Sequence, residues 1–268
     1  MTKLNKFLFV PYLIWMVGFI IIPVILLFYF SFLDIHGHFS FSNYQQIFSL
    51  RYLKMMGISI FYAAVITLVT LIISYPAAYF IRQSAHQNLW ILILIIPTCI
   101  NLLLKTYAFI GIFSHDGIIN QILGVMHLPK IELLFTAAAF IIVASYIYIP
   151  FMILPIFNSM KSIPDNLLQA STDLGANKWI TLRKVILPLT KAGVLSGIQV
   201  TFIPALSLFM ITRLIAGNKV INIGTSIEEQ FLVIQNYGMG STIAIALIVF
   251  MAFVLVITKS GNEGGRRS

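Results

Sequence analysis

Long apolar runs alternate with short polar connectors along the whole chain. Crossing the hydrocarbon core of a bilayer takes about 20 predominantly apolar residues as a helix. Six runs are read as spans on this basis: 7–33, 57–81, 89–113, 133–160, 189–216 and 241–258. The predicted fold class is an all-α integral membrane protein with six transmembrane helices. Several runs carry proline (Pro23, Pro76, Pro97, Pro150, Pro155, Pro204), which spanning helices tolerate when neighbouring groups satisfy the freed carbonyls. Such positions also suit helices that move or line a cavity. Between the runs lie an aromatic-rich connector at 34–56, a connector at 114–132 with a short amphipathic helix at 118–126, and a third connector at 217–240.

Composition removes the soluble alternatives. Hydrophobic residues make up 59% of the 268 residues and charged residues 9%, with a mean hydropathy of +0.97; soluble domains carry roughly 25% charged residues. The net charge of +9 sits at span ends rather than in a surface stripe, so it does not mark a nucleic-acid partner. Cys99 is the single cysteine and permits no internal disulfide and no cysteine metal site. The histidines His36, His38, His86, His115 and His127 lie in connectors without a ligand cluster, and His36-Gly37-His38 reads as a turn. No metal site is expected. There is no GxxxxGK[ST] loop to cradle ATP phosphates.

The distribution of Lys and Arg sets an expected orientation. With the N-terminus inside, eleven lie on the cytoplasmic side (Lys3, Lys6, Arg82, Lys161, Lys178, Arg183, Lys184, Lys191, Lys259, Arg266, Arg267) and four outside (Arg51, Lys54, Lys130, Lys219). Both termini and residues 162–188 are therefore expected in the cytoplasm. Lys105 falls in the outer half of the third span and Arg213 near the outer end of the fifth, where they can snorkel to the surface, line an outer vestibule or bind loops of the partner subunit.

Residues 162–188 form the longest polar-containing segment between two spans. Ser162 is placed to cap a helix, with Pro164 in its first turn. Ile163, Leu167, Ala170 and Leu174 then recur at helical spacing, and Gly175 follows where a chain reversal needs a left-handed residue. A second helix is predicted after Asn177, with Trp179, Leu182 and Ile186 on one face, ending at Pro188. Periodicity alone fits two roles for this hairpin: resting on lipid headgroups, or seating its apolar stripe in a partner's groove.

The residues within it go further. Gln169-Ala170-Ser171-Thr172-Asp173-Leu174-Gly175-Ala176, followed by Leu187-Pro188-Leu189, resembles the coupling loop of binding-protein-dependent ABC importer permeases, whose pattern is E-A-A-x-D-L-G-A and then I-x-L-P. Gln169 replaces the family Glu and removes a negative charge, and Ser171 replaces the second Ala. Further stretches resemble the polyamine permeases of that family: Tyr75-Pro76-Ala77, Ile96-Pro97, Asn101, Lys105-Thr106-Tyr107, Ile149-Pro150-Phe151-Met152, Ile203-Pro204-Ala205-Leu206 and Gln230-Phe231-Leu232. The resemblance implies one permease domain over 1–260, with 162–188 as its coupling loop and 261–268 as a polar tail. It implies no catalytic residue and no cofactor in this chain, since ATP and Mg would be bound by two partner ATPase subunits. A second permease subunit completing a heterodimer, an extracytoplasmic polyamine-binding protein and membrane lipid are the other implied partners. Coupling would fall to Leu167, Gln169, Ala170, Asp173, Leu174, Gly175, Ala176 and Pro188.

An amine cargo favours carboxylates and aromatic faces. Candidates for its route are Tyr107, Tyr146, Tyr148, Phe209 and Met210 in the spans, with Glu228, Glu229 and Asp116 at the outer mouth. Packing is the competing role for the aromatics, and a solvated face for the glutamates. Two rivals bound the reading. An ion-coupled transporter would need acidic groups in mid-span and a membrane enzyme a nucleophile or acid–base pair at that depth; no predicted span carries a mid-span acid. An importer for another small solute stays open.

Overall fold

The computed structural model describes residues 3–263, with side chains described for 10–217 and 219–258. Helix α1 covers 3–31 as Lys3–Met16, a π turn Val17–Ile21 and Ile22–Ser31. A short α2, Ser42–Ile47, precedes the long α3, Leu50–Gln83. Next come α4 (Gln87–Ile95), a 3-10 turn (Ile96–Cys99), α5 (Leu102–Phe113) and α6 (Ile118–Val125). After these follow α7 (Ala137–Lys161), α8 (Asp165–Asp173) and α9 (Lys178–Leu189). The chain closes with α10 (Lys191–Ala205), α11 (Phe209–Ile215), α12 (Ile223–Glu228) and α13 (Tyr237–Glu263). Among the described residues, β pairing is confined to one isolated bridge, Leu33 with Phe39.

Among the described residues, five lengths are long and apolar enough to cross a membrane: Val10–Ser31, Leu50–Gln83, Leu102–Val125, Ala137–Lys161 and Tyr237–Thr258. The pair α9 and α10, bent by 65°, makes a sixth if counted as one span. The predicted second span starts earlier than expected. Leu50–Met56, placed in a connector, forms the first two turns of α3 and carries Arg51 and Lys54 with it. The predicted third span is broken at 96–101, where Pro97 withholds an N–H and Asn101 restarts the helix by accepting from the Leu103 N–H at 2.8 Å. The predicted fifth span is broken at 206–208. By contrast Pro150 and Pro155 lie inside the continuous α7 and do not interrupt it.

Two prolines come directly after π turns. The Ile22 N–H reaches back to the Val17 carbonyl, and the Leu187 N–H to that of Leu182, just before Pro23 and Pro188. A proline clashes with the carbonyl four residues back and cannot donate to it, and the wider turn absorbs both defects.

Packing centres on α7, which lies against α3 and α10 and runs through two hydrophobic clusters. One holds Ile66, Phe140, Ala144, Leu206, Ile211 and Met239; the other holds Ala78, Ile81, Met152, Ile156, Met160 and Ile186. The seam between α7 and α10 is set by Gly193-Val194-Leu195-Ser196-Gly197, glycines one helical turn apart. A Cβ on Gly193 would lie 2.4 Å from Ser159 Cβ and 2.6 Å from the Pro155 carbonyl oxygen, and one on Gly197 2.7 Å from Met152 Sδ. At Gly193 only a hydrogen atom fits, and at Gly197 a larger group would have to displace the Met152 side chain. The Ile22–Ser31 part of α1 packs against α13, and most of the apolar side chains described between Val10 and Phe30 are exposed.

The bundle has two well-separated ends. Ser59 of α3 accepts from the Ile223 N–H at 2.7 Å, while Arg82 of the same helix bonds Asp165 at 3.2 Å. At 1.5 Å rise per residue, the 23 residues between them place these contacts about 35 Å apart, slightly more than the hydrocarbon core.

Candidate functional site

The hairpin at 162–190 occupies one end. Ser162 does not start its first helix: it terminates α7 in helical geometry, and its hydroxyl donates to the Ser159 carbonyl at 2.8 Å. Pro164 takes the cap position instead, since its ψ of 139° leaves the helical region before Asp165. At the far end of α8 the chain closes in a Schellman motif. The Ala176 N–H bonds the Ser171 carbonyl at 3.0 Å, the Gly175 N–H bonds that of Thr172 at 2.9 Å, and Gly175 has φ +76°. The Asn177 side chain then caps α9 by accepting from the Ile180 N–H at 2.8 Å.

A buried hydroxyl pair, Ser171 to Thr181 at 2.7 Å, ties the two helices together. The same position is one of the departures from the resembled motif: an Ala there could not make this bond. Ile163, Leu182 and Ile186 pack the hairpin against the cluster around Ile81, Ile156 and Met160, and Leu168 joins them. That choice of face leaves the rest of α8 uncovered. Leu167 is 45% exposed, Leu174 is 89% exposed, and Gln169, Ala170 and Asp173 face solvent, while Ala176 is half-buried. Pro188 is exposed in the last turn of α9, just before the 65° bend.

Arg82, read from sequence as one more charge at a span end, turns out to hold the base of the hairpin. Its guanidinium donates from Nε to the Met160 carbonyl at 2.8 Å, and from one terminal nitrogen to the Ile163 carbonyl and to Asp165, both at 3.2 Å. It thereby joins the ends of α3 and α7 to the first residue of α8. The signal available in sequence was a lone Arg closing an apolar run, which does not distinguish a snorkelling cation from a helix-end clamp.

The opposite end pairs many of its polar groups with one another, although Glu228 Oε2 is buried there without a hydrogen-bond partner among the described residues. Asn222 braces the break at 206–208: its amide donates to the Leu208 carbonyl at 3.0 Å and to the Thr212 hydroxyl at 2.8 Å, and that hydroxyl in turn donates to the Leu208 carbonyl. Its oxygen also caps α12 in a capping box with Thr225. Arg213, expected to snorkel or to line a vestibule, forms an ion pair with Glu228 at 2.6 Å, with Glu228 largely buried. Asp116 is paired with Lys130 at 2.9 Å, and this ammonium holds its carboxyl below the usual carboxylate range. Asp34 accepts from the backbone N–H groups of His38 and His36 at 2.8 and 2.9 Å, which lowers its pKa and fixes the His36-Gly37-His38 turn. Among the described residues no three His, Cys, Asp or Glu side chains are grouped to hold a metal.

The candidate cargo residues do not converge on one chamber. Glu228 and Glu229 line a hollow of about 360 Å³ with Arg213, Val220 and Thr225. Tyr146, 40% exposed, lines a separate and mainly apolar groove of about 360 Å³ with Lys105, Trp90, Pro97 and Pro150. Tyr148 is buried in the core, whereas Tyr107 and Phe209 are exposed and Met210 is half-buried, outside both hollows.

Comparison with known proteins gives a consistent picture. The family model described as "Binding-protein-dependent transport system inner membrane component" matches residues 86–260. The chain is 31% identical over 260 residues to the spermidine/putrescine transport system permease protein PotB of Haemophilus influenzae, covering 93% of this chain and 91% of that protein. It is 32% identical over 254 residues to PotB of Escherichia coli K12, covering 91% and 92%. The inner membrane ABC transporter permease protein YdcU of E. coli K12 is 28% identical, covering 84% of this chain and 74% of that one. In fold, a chain from the crystal structure of a bacterial alginate ABC transporter in complex with an alginate pentasaccharide-bound periplasmic protein superposes with a TM-score of 0.81 at 17% identity, covering 95% and 92%.

Proposed function

The chain belongs to the family of binding-protein-dependent transport system inner membrane components, and from that premise we propose that it is a permease subunit of an ATP-driven polyamine importer. It is a multi-pass inner-membrane transport component, not an enzyme. In this reading residues 1–260 form one permease domain that makes half of the pathway, and a second, different permease subunit makes the other half. The hairpin end faces the cytoplasm, with both chain termini on that side. The terminal segments 1–2 and 264–268 lie outside the described residues, as does most of the polar tail assigned to 261–268.

The observation that carries the coupling role is the uncovered apolar face of α8. Leu167 and Leu174 project from a helix whose other face is fixed to the bundle through Leu168, Ser171 and Arg82. Burying a leucine side chain gains about 1.5–3 kcal/mol, so a groove on one of two ATPase subunits, which bind the ATP and Mg, gives this face its partner. Gln169, Ala170, Asp173 and Ala176 surround the contact, and Gly175 and Pro188 set the two bends that aim it. When ATP draws the ATPases together, α8 moves with them. The glycine seam passes that movement to α7 and α10 as one body, and the pathway alternates between inward- and outward-facing forms.

At the opposite end an extracytoplasmic binding protein would deliver the cargo. Glu228 and Glu229 give the hollow there its negative charge; Glu229 is exposed and has no ion-pair partner among the described residues. Tyr107, Tyr146, Tyr148, Phe209 and Met210 remain candidates for the route, with Tyr146 the one that opens onto a groove.

The test is uptake by the reconstituted complex. Proteoliposomes holding both permease subunits, the ATPases and the binding protein should accumulate labelled spermidine with internal ATP, and should fail to do so with a proton gradient alone. Uptake driven by the gradient without ATP would overturn the coupling; ATP-driven uptake of another solute but not of polyamine would overturn the cargo.

A further inference from the structure

Helix α9 carries a chemistry that coupling does not use. It bends 65° away from the span that follows it and leaves apolar side chains uncovered: Trp179 is 68% exposed, Leu187 50% and Leu189 51%. Among them stand Lys178, Arg183, Lys184 and, just past the bend, Lys191, all exposed. No acid occurs between Asp173 and Glu228 to offset them. The ion pairs among the described residues are Arg82–Asp165, Lys130–Asp116 and Arg213–Glu228, so none of these four cations has a carboxylate partner. Beside the helix lies a hollow of about 450 Å³ lined by Tyr79, Phe80, Gln83, Lys178, Trp179 and Leu182. Phe80 also packs edge-on against Trp90, 5.7 Å between centroids, so aromatic rings gather at one level of the bundle, the level of the last turn of α3.

We infer that α9 is an interfacial helix that binds an anionic phospholipid. An acyl chain lies along Phe80, Trp179 and Leu182, and the headgroup phosphate sits among Lys178, Arg183 and Lys184. Cations interleaved with exposed indole and leucine side chains are the chemistry of a helix lying in the headgroup plane. Each Lys or Arg near a negatively charged bilayer surface contributes about 1 kcal/mol, roughly a fivefold preference. The division of labour within the hairpin follows: α8 offers an apolar face with few charges to a protein, and α9 offers a cationic one to lipid. The proposal requires α9 to lie at a membrane face, as the permease reading places it, but does not depend on which face.

The chain has three tryptophans, Trp15, Trp90 and Trp179, so Trp15→Phe with Trp90→Phe leaves Trp179 as the sole indole. The full-length chain is placed in nanodiscs where either phosphatidylglycerol or phosphatidylcholine is brominated, at equal mole fraction. Trp179 should be quenched more by the brominated anionic lipid, and Lys178→Gln, Arg183→Gln and Lys184→Gln together should reduce that preference at least tenfold. Equal quenching by the two lipids, quenching by neither, or a preference that survives loss of the three charges overturns the proposal. Native mass spectrometry of the assembled unsubstituted complex provides an arm free of folding effects: it should retain phosphatidylglycerol in preference to phosphatidylcholine, and equal retention counts against the site. Failure of the unsubstituted complex to take up polyamine with ATP, with the lipid preference intact, would instead count against the permease reading.

Discussion

The two ends of the bundle handle their side chains in opposite ways. At the hairpin end, hydrogen bonds and the Arg82 clamp hold the hairpin still, and Leu167 and Leu174 of its first helix are left uncovered. At the far end the polar groups close on one another: Asn222 takes up the Leu208 carbonyl, Arg213 pairs with Glu228, and Lys130 pairs with Asp116. A surface that keeps apolar area exposed at a fixed geometry suits a permanent protein partner. A surface where Arg213, Glu228, Lys130 and Asp116 are paired with one another and Glu229 stays open suits an encounter that must form and release. Stiffness therefore belongs at one end and exchange at the other.

The comparison breaks first if the rigid end is not rigid. Gly193→Val or Gly197→Leu drives a side chain into Ser159, Pro155 or Met152, and overpacking of this kind costs typically 1–3 kcal/mol, occasionally more. Expression and thermal stability in detergent should fall together, with ATPase activity uncoupled from cargo in whatever complex assembles. Gly175 sharpens the same point without a clash, because a Cβ there meets nothing within 4 Å and only its φ of +76° is at stake. Gly175→Val should weaken cargo-stimulated ATPase activity roughly tenfold, from about 1–2 kcal/mol of backbone strain. Gly175→Asn should retain most of it, since Asn tolerates the left-handed region.

The Arg82 clamp makes a graded test. Arg82→Ala loses two charged hydrogen bonds to carbonyls, each worth about 1.5–3 kcal/mol, and should destabilise the hairpin clearly in hydrogen exchange of α8. Asp165→Ala removes only the exposed half of an ion pair, worth about 0–1 kcal/mol. Equal effects would mean that the ion pair, and not the carbonyl bonds, holds the hairpin.

The smallest effect is expected at the far end. Lys130 depresses the Asp116 pKa, so the pair's contribution is present above the unfolded carboxylate pKa of about 3.9 and is lost as pH falls through the lower folded value. Lys130→Gln should leave the connector slightly less protected at neutral pH and erase that acid-dependent step, measured by hydrogen exchange across 114–132.

The sequence made the hairpin legible because each of its parts has a local signature: apolar spacing from Ile163 to Leu174, a Gly at the reversal, and Asn177 before the second helix. The crossing helices were legible by length, but not their interruptions. Pro97 and Pro204 mark breaks, whereas Pro150 and Pro155 lie in an intact helix, because neighbouring helices decide whether a freed carbonyl finds another partner. The start of α3 was misplaced since Arg51 and Lys54 read as connector, although a helix can carry charge once it leaves the hydrocarbon. The Arg213–Glu228 and Ser171–Thr181 contacts join residues whose pairing depends on how elements return in space, and no spacing rule reaches that far. The Gly193–Gly197 seam did have a local signal, the small-xxx-small spacing.

The most direct measurement replaces Leu174, 89% exposed at the tip of the hairpin, with a photo-crosslinking amino acid in the assembled complex. Leu168, whose side chain packs inward, serves as the control. The account predicts a crosslink from position 174 to an ATPase subunit that intensifies with ATP, and none to that subunit from position 168. Crosslinks from 174 that reach only lipid, or that reach the ATPase no more often than those from 168, would contradict it.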